Sequence, residues 1–241
     1  VSLLAIEKVS KCYRRGSREY LALQEVSLEV ERGELLVVLG TRKSGRSTLL
    51  RIAAGLERPD EGIVRFEGKG LRGARDVVGR QIAYCHTGFS PMEGERTIDH
   101  VAATLLARRI SLVRARRAAE RALDRTNAGD CAGMRAHELN AAERVRVGLA
   151  RALVGKPSVL VSDDPNSGVS MLESDGILRL LRTVANDGVA VLMSTDDATS
   201  ISGADRALSL DRGKLRCDVE GPRADVVPLR PRTLQSEARL G

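Results

Sequence analysis

Residues 34–56 read ELLVVLGTRKSGRSTLLRIAAGL: an apolar run of strand length, a loop bounded by Gly40 and Gly45, and a segment with helical spacing. Leu49, Leu50, Ile52, Ala53 and Leu56 fall on one broad face of that helix. The loop follows the phosphate-gripping pattern G-x-x-x-x-G-K-[ST] except at one position, where Arg46 stands in place of the lysine. Glycines suit such a loop because backbone N–H groups must close around phosphate oxygens without Cβ obstruction. The helix N-terminus adds partial positive charge, and a hydroxyl at Ser47 is placed to ligate Mg²⁺. The candidate phosphate-binding residues are Gly40, Thr41, Arg42, Lys43, Ser44, Gly45, Arg46, Ser47 and Thr48.

The rest of the chain alternates strands with helices. LLAIEKVSKCY and EVSLEVERGELLVVLG alternate or run apolar at strand length, and GLERPDEGIVRFEG reads as turn, short strand, turn. Thr97 to Ala136 is rich in Ala, Leu and Arg and almost wholly helix-forming, with a break near Asn127-Ala128-Gly129. AAERVRVGLARALVG and LRLLRTVANDG read as helices, KPSVLVSDDP and VAVLMSTDD as buried strands, and RALSLDRGKL as two short strands around a turn. Such alternation predicts a largely parallel sheet covered on both sides, with the Thr97–Ala136 segment as a helical insertion.

Bulk properties narrow the function classes. With 42% apolar and 29% charged residues, the 241-residue chain can bury a substantial core, and with only 2% aromatics that core must be aliphatic. No apolar run approaches the ~20 residues of a membrane span, and the start VSLLAIEKVS is too short and too charged for a signal peptide. Cys12, Cys85, Cys131 and Cys217 are scattered without a C-x-x-C pair, which argues against a zinc site or disulfide framework and for a reducing cytoplasm. The net charge of +7 suits an acidic partner. The arginines of the helical insertion (Arg108, Arg109, Arg114, Arg116, Arg117, Arg121, Arg125) read most simply as a solvated face, since no aromatics accompany them as nucleic-acid binding favours.

A second motif joins the loop. GKPSVLVSDDP is an apolar strand ending in Asp163 and Asp164, which resembles a Walker B strand, and ELNAAERVRVGLARAL lies just before it. Together with EKVSKCYRR and ADRALSLDRGKL, these segments resemble the ATP-binding subunits of ABC transporters over residues 3–216. VSKCY, LALQEVSLEVERGE, STLLRIAAGLERPDEG and RVRVGLARALVGKPSVL place the likeness in the lipoprotein-release and macrolide-export branch. The resemblance implies an α/β P-loop NTPase fold: a RecA-like core, an antiparallel β edge near the N-terminus, a helical subdomain across about 86–140, and an ATP-binding domain over 1–217. The tail, 218–241, is basic and expected to be loose.

The same resemblance assigns roles and exposes departures. Ser47 and Asp163 match the Mg²⁺ ligands, and Tyr13 lies where the family stacks an aromatic on adenine. Arg46 keeps a lysine's charge with a bulkier planar fork, and Lys43 replaces a glycine common in ABC loops. The glutamine after the third core strand is missing: its place falls on Thr87, or on His86 with a shift of one. The signature, normally Leu-Ser-Gly-Gly-Glu, reads Leu139-Asn140-Ala141-Ala142-Glu143, which puts two methyl groups where a partner's γ-phosphate should approach. Asp164 replaces the glutamate that polarises the attacking water and is one methylene shorter. Ser170 stands for an aspartate, and Asp196 for the switch histidine, so a γ-phosphate donor has become a carboxylate. Like charges ~4 Å apart cost about 4 kcal/mol at an effective dielectric of 20.

The implied function is an ATP-binding subunit with weak affinity for ATP and Mg²⁺ and impaired or absent hydrolysis. Asp164 and Asp196 are its altered catalytic positions, and Asn140, Ala141, Ala142 and Glu143 its partner-nucleotide contacts. The partners implied are a membrane permease and a second ATPase chain, identical or with intact motifs, at the inner face of the cell membrane, with no direct nucleic acid. The alternative is a pseudo-ATPase scaffold or regulatory subunit that no longer binds nucleotide.

Overall fold

The structure is a computed structural model that describes residues 2–16, 18–71, 81–86 and 94–219. Its centre is a six-stranded sheet in the order β10-β9-β3-β8-β7-β6. The strands are β3 (Leu35–Leu39), β6 (Ile82–His86), β7 (Val159–Asp163), β8 (Ala190–Thr195), β9 (Arg206–Asp211) and β10 (Lys214–Val219). All pairings are parallel except the β9–β10 hairpin at one edge. Near-continuous Leu/Val runs form β3, β7 and β8 because both faces of these strands are covered.

Strand alternation sorts the core into two layers. Leu36, Val38, Val159, Val161, Ala190 and Leu192 face one side, where they meet helix α1 (Arg46–Ala53) through Leu49, Leu50 and Ile52. A second, antiparallel sheet closes over α1. Its order is β2-β1-β4-β5, from β1 (Leu4–Arg15), β2 (Arg18–Val30), β4 (Glu61–Phe66) and β5 (Lys69–Gly70). The stretch EVSLEVERGELLVVLG is therefore two strands in different sheets, divided by the turn at 31–34. Leu56 leaves the apolar face expected of it: α1 ends at Ala53, and Leu56 is exposed beyond it.

The opposite face packs Leu35, Val37, Leu160, Val191 and Met193 against Val145, Leu149, Ile177 and Leu181. Val145 and Leu149 belong to α4 (Ala141–Leu153); Ile177 and Leu181 belong to α5 (Met171–Asn186). Before α4 lie α2 (Thr97–Leu106) and α3 (Leu112–Arg125). The helical stretch thus breaks at 107–111, where Arg109 adopts φ +60°, as well as at the expected Asn127. Val101, Ala102, Ala115, Ala119 and Leu123 form a third cluster with Val147, Ala150 and Val154 of the α4 segment. Helix α4 is consequently buried on two sides, between the sheet and α2/α3. In the arginine-rich stretch, Arg116 pairs with Asp99 at 2.7 Å and Arg125 with Asp187 at 2.8 Å, which fits a solvated, partly paired face.

Strand β10 runs to Val219, into the segment read as tail, and the remainder of 218–241 lies outside the described residues. No described helix is long and apolar enough to cross a membrane.

Candidate functional site

The parallel register gathers the site at the carboxyl ends of β3, β7 and β8, where open α/β sheets place their ligands. Val38 pairs with Ser194, and Ser194 with Asp163. Alternation turns Ser194 and Asp163 to the α1 side, under the loop that follows β3.

That loop is held from three directions. Gly40 N–H donates to the Thr195 carbonyl at 3.1 Å, Gly213 N–H to the Ser44 carbonyl at 2.8 Å, and the Tyr20 hydroxyl to the Lys43 carbonyl at 2.6 Å. Gly45 sits at φ +108°, and a Cβ there would lie 2.3 Å from the Ala22 carbonyl oxygen. Lys43, in the place of a usual glycine, still takes the left-handed conformation, at φ +66°. A non-glycine residue there costs about 1–2 kcal/mol, so the loop keeps its shape against local strain.

A cleft of about 910 Å³ is lined by Tyr13, Tyr20, residues 41–48, Asp164, Ser167 and Asp196. The candidate loop residues from Thr41 to Thr48 thus share one cavity with Tyr13, Asp164 and Asp196, and Gly40 closes the loop's base. Beside them, the Asp163 carboxylate is buried and fully engaged. Its Oδ1 accepts from Ser47 Oγ at 3.3 Å and Ser194 Oγ at 2.7 Å, and its Oδ2 accepts from Tyr84 Oη at 3.1 Å. Burial, then the Asp163 charge, pushes the Tyr84 phenol upward, so it stays a proton donor. Ser194 Oγ also accepts the Asp164 N–H at 3.0 Å. Ser47 and Asp163 are hard oxygen donors at adjoining positions, and they fit Mg²⁺, which takes one or two protein oxygens and completes its shell with phosphate and water.

Arg46 and Asp196 form an ion pair, Nη2 to Oδ2, at 3.7 Å. Arg46 is 9% exposed and Asp196 50%. The other arm of the guanidinium, Nη1, is buried with no hydrogen-bond partner among the described residues, as is Ser44 Oγ. The next residue, Asp197, caps the short turn Ala198–Ile201 by accepting the Thr199 N–H at 2.9 Å. The Asp196 carboxylate, expected to repel phosphate, is met by the Arg46 guanidinium within the chain itself. Asp164, at φ +49°, lies in the same group. Burial holds its carboxyl above the ordinary carboxylate range; Arg46 opposes this, and Asp196 and Asp163 reinforce it.

Tyr13 is anchored at its hydroxyl, which donates to Glu57 Oε1 at 2.6 Å, accepts from Arg51 Nη2 at 3.2 Å and lies 3.3 Å from Thr48 Oγ1. His86 ends β6 opposite Asp163, with its ring stacked against Tyr84 at 6.4 Å. Thr87, the other candidate for the glutamine's place, lies outside the described residues. Ser170 precedes α5 and donates to Glu173 Oε2 at 2.8 Å.

The signature stretch requires a correction. Asn140 caps α4: its Oδ1 accepts the Glu143 N–H at 2.9 Å, and Glu143 Oε2 accepts the Asn140 N–H at 2.8 Å. Helical phase buries Ala142 and exposes Ala141, so one methyl group, not two, faces outward. The amide that replaces the serine hydroxyl keeps a helix-capping oxygen.

Residues 23–167 match the ABC transporter family, and the "Cell division ATP-binding protein FtsE" of Escherichia coli K12 is 34% identical over 218 residues, 88% of this chain and 97% of that protein. The chain belongs to the ABC transporter family. Other relatives of this ABC chain include the "Lipoprotein-releasing system ATP-binding protein LolD" of Shewanella sp. MR-4, 31% identical over 90% of this chain and 97% of that protein. Among solved structures, the ATP-binding cassette MJ0796, a dimer bound to ADP and Pi, superposes with a TM-score of 0.82 at 23% identity, covering 90% of this chain and 98% of that one. The fold is that of the ABC ATP-binding cassettes.

Sequence reasoning missed Tyr84 and Ser194. Each lies on a strand beside β7 but far in sequence from Asp163, by 79 and 31 positions. The alternation of IAYCH and VLMST, combined with a parallel register, carries the signal.

Proposed function

We propose that this chain is the ATP-binding subunit of an ABC transporter that binds Mg-ATP weakly and hydrolyses it poorly or not at all. The observation that carries the binding half is the adjacency of Ser47 Oγ and Asp163 Oδ1, 3.3 Å apart beneath a fully formed phosphate loop. Ser47 and Asp163 would hold Mg²⁺, whose charge offsets that of the phosphates. Loop N–H groups and Arg46 would take the phosphate oxygens, and Tyr13 would stack on adenine.

Impairment is supported by the groups around the cleft. Asp164 is a shorter acid than glutamate, and placing a water within reach of both base and phosphate tolerates little displacement. Asp196 brings negative charge where a phosphate donor is expected. The helical subdomain at about 86–140 and a single ATP-binding domain remain part of this reading, with strand β10 carrying that domain to Val219 rather than 217. So do a permease and a second ATPase chain at the inner membrane face; Met171 and Leu172, 81% and 85% exposed in the first turn of α5, support a covered surface in an assembly.

The alternative, a scaffold without nucleotide, is favoured by one observation: every Asp163 oxygen already accepts a protein hydroxyl. Equilibrium binding of fluorescent ATP with and without Mg²⁺, with phosphate release on the same sample, tests both. Expected are Mg²⁺-dependent binding and release about 10²-fold or more below an intact cassette run in parallel. Release at the intact rate, abolished by Asp163→Ala, overturns the impaired reading; no binding at millimolar nucleotide selects the scaffold.

A further inference from the structure

We infer that this site selects nucleoside diphosphates over triphosphates, with the Asp196 carboxylate serving as a built-in counterpart of the terminal phosphate. The inference rests on the nucleotide-binding reading above and names the ligand of that same site.

Two independent observations carry it. The first is the ion pair: Arg46 Nη2 lies 3.7 Å from Asp196 Oδ2 at the mouth of the phosphate loop. The charged end of the residue that replaces the loop lysine is thus already shared with an anion from the chain itself. The second is the orphaned arm. Arg46 Nη1 is buried without a hydrogen-bond partner among the described residues, on a side chain 9% exposed that lines the cleft. A buried guanidinium N–H without a partner is costly, and a small shift of the fork towards an anion in the cleft relieves that cost. The fork therefore has one arm short of a partner and one arm engaged.

A diphosphate fits this arrangement. Its terminal phosphate would meet the loop N–H groups and, after that shift of the fork, Nη1, while Asp196 continues to balance Nη2. A triphosphate must bring a third phosphate group towards Asp196 and Asp164, which share the cleft with Arg46. It must either displace the half-exposed Asp196 side chain or accept like charges close together. Both routes penalise the γ-phosphate specifically, because the adenine, ribose and first two phosphates make the same contacts in either ligand.

The test is calorimetric titration of the full chain with ADP and with ATP, each with and without Mg²⁺, for the wild type, Asp196→Asn and Asp196→His. Asparagine is nearly isosteric and removes the charge; histidine restores a donor. The wild type is expected to bind ADP about tenfold or more tightly than ATP, equivalent to about 1.4 kcal/mol. Both variants are expected to shrink that ratio by raising ATP affinity, with ADP affinity changing less. ATP binding as tight as ADP binding in the wild type overturns the inference, as does a ratio unchanged in both variants. Binding of neither nucleotide overturns the nucleotide-binding reading and this inference with it, whereas equal or inverted affinities overturn the diphosphate preference alone.

Discussion

The Tyr84 hydroxyl donates to Asp163 Oδ2 across 3.1 Å from β6, the strand that pairs in parallel with β7. Asp163 is buried, so each hydroxyl on it offsets desolvation of the charge. Tyr84→Phe keeps the ring and removes the donor, and is expected to destabilise the fold by about 1–3 kcal/mol. Ser194→Ala is expected to cost more than Tyr84→Phe, since its hydroxyl also receives the Asp164 N–H. Urea unfolding of the two variants checks the order.

Gly45 and Gly68 separate steric conflict from backbone strain. Both have positive φ, +108° and +73°, but a Cβ at Gly45 would meet the Ala22 carbonyl at 2.3 Å while one at Gly68 meets nothing within 4 Å. Gly68→Ala is expected to cost about 1–2 kcal/mol, the left-handed penalty alone. Gly45→Ala is expected to cost about 2–4 kcal/mol and to abolish nucleotide binding by shifting the loop. Thermal unfolding and a nucleotide titration on the pair distinguish the two effects.

Asp164 gives a stability profile with a defined sign. Its folded-state carboxyl is held above the ordinary range, chiefly by burial, so the native state binds its proton more tightly than the unfolded chain does. Its contribution is fully present below the unfolded carboxylate pKa of about 4 and is lost as pH rises through the folded value. Asp164→Asn removes the titration, and is expected to raise Tm at pH 7 with a gain that fades towards pH 4. A Tm increase of equal size at both pH values, or none at pH 7, contradicts this account.

Asn140 tests whether the altered signature serves the helix. Asn140→Ala removes the cap oxygen that receives the Glu143 N–H and is expected to cost about 1 kcal/mol. Asn140→Ser, which restores the family residue, is expected to be near neutral. Chemical denaturation of both variants measures the difference.

The fold was legible because local signals agreed: apolar runs for β3, β7 and β8, helical spacing for α1 and α4, and turn residues between them. The Ser47–Asp163 adjacency was legible through two motifs. What escaped depends on placements that no single segment encodes. Ser194 and Tyr84 reach Asp163 only once three strands are set in register. The burial of Ala142 follows from the phase of α4, which Asn140 fixes by starting the helix there. The Arg46–Asp196 contact joins residues 150 positions apart, and each looked damaging when read separately. The break at 107–111 carries no proline or glycine and so gave no local warning.

The braces on the phosphate loop from Tyr20 and Gly213 have a thermodynamic corollary. A loop already fixed by its neighbours surrenders little freedom when a ligand arrives. Association should therefore be quick and show only a small entropy loss from chain ordering, and loosening the Tyr20 contact should appear first as a slower on-rate.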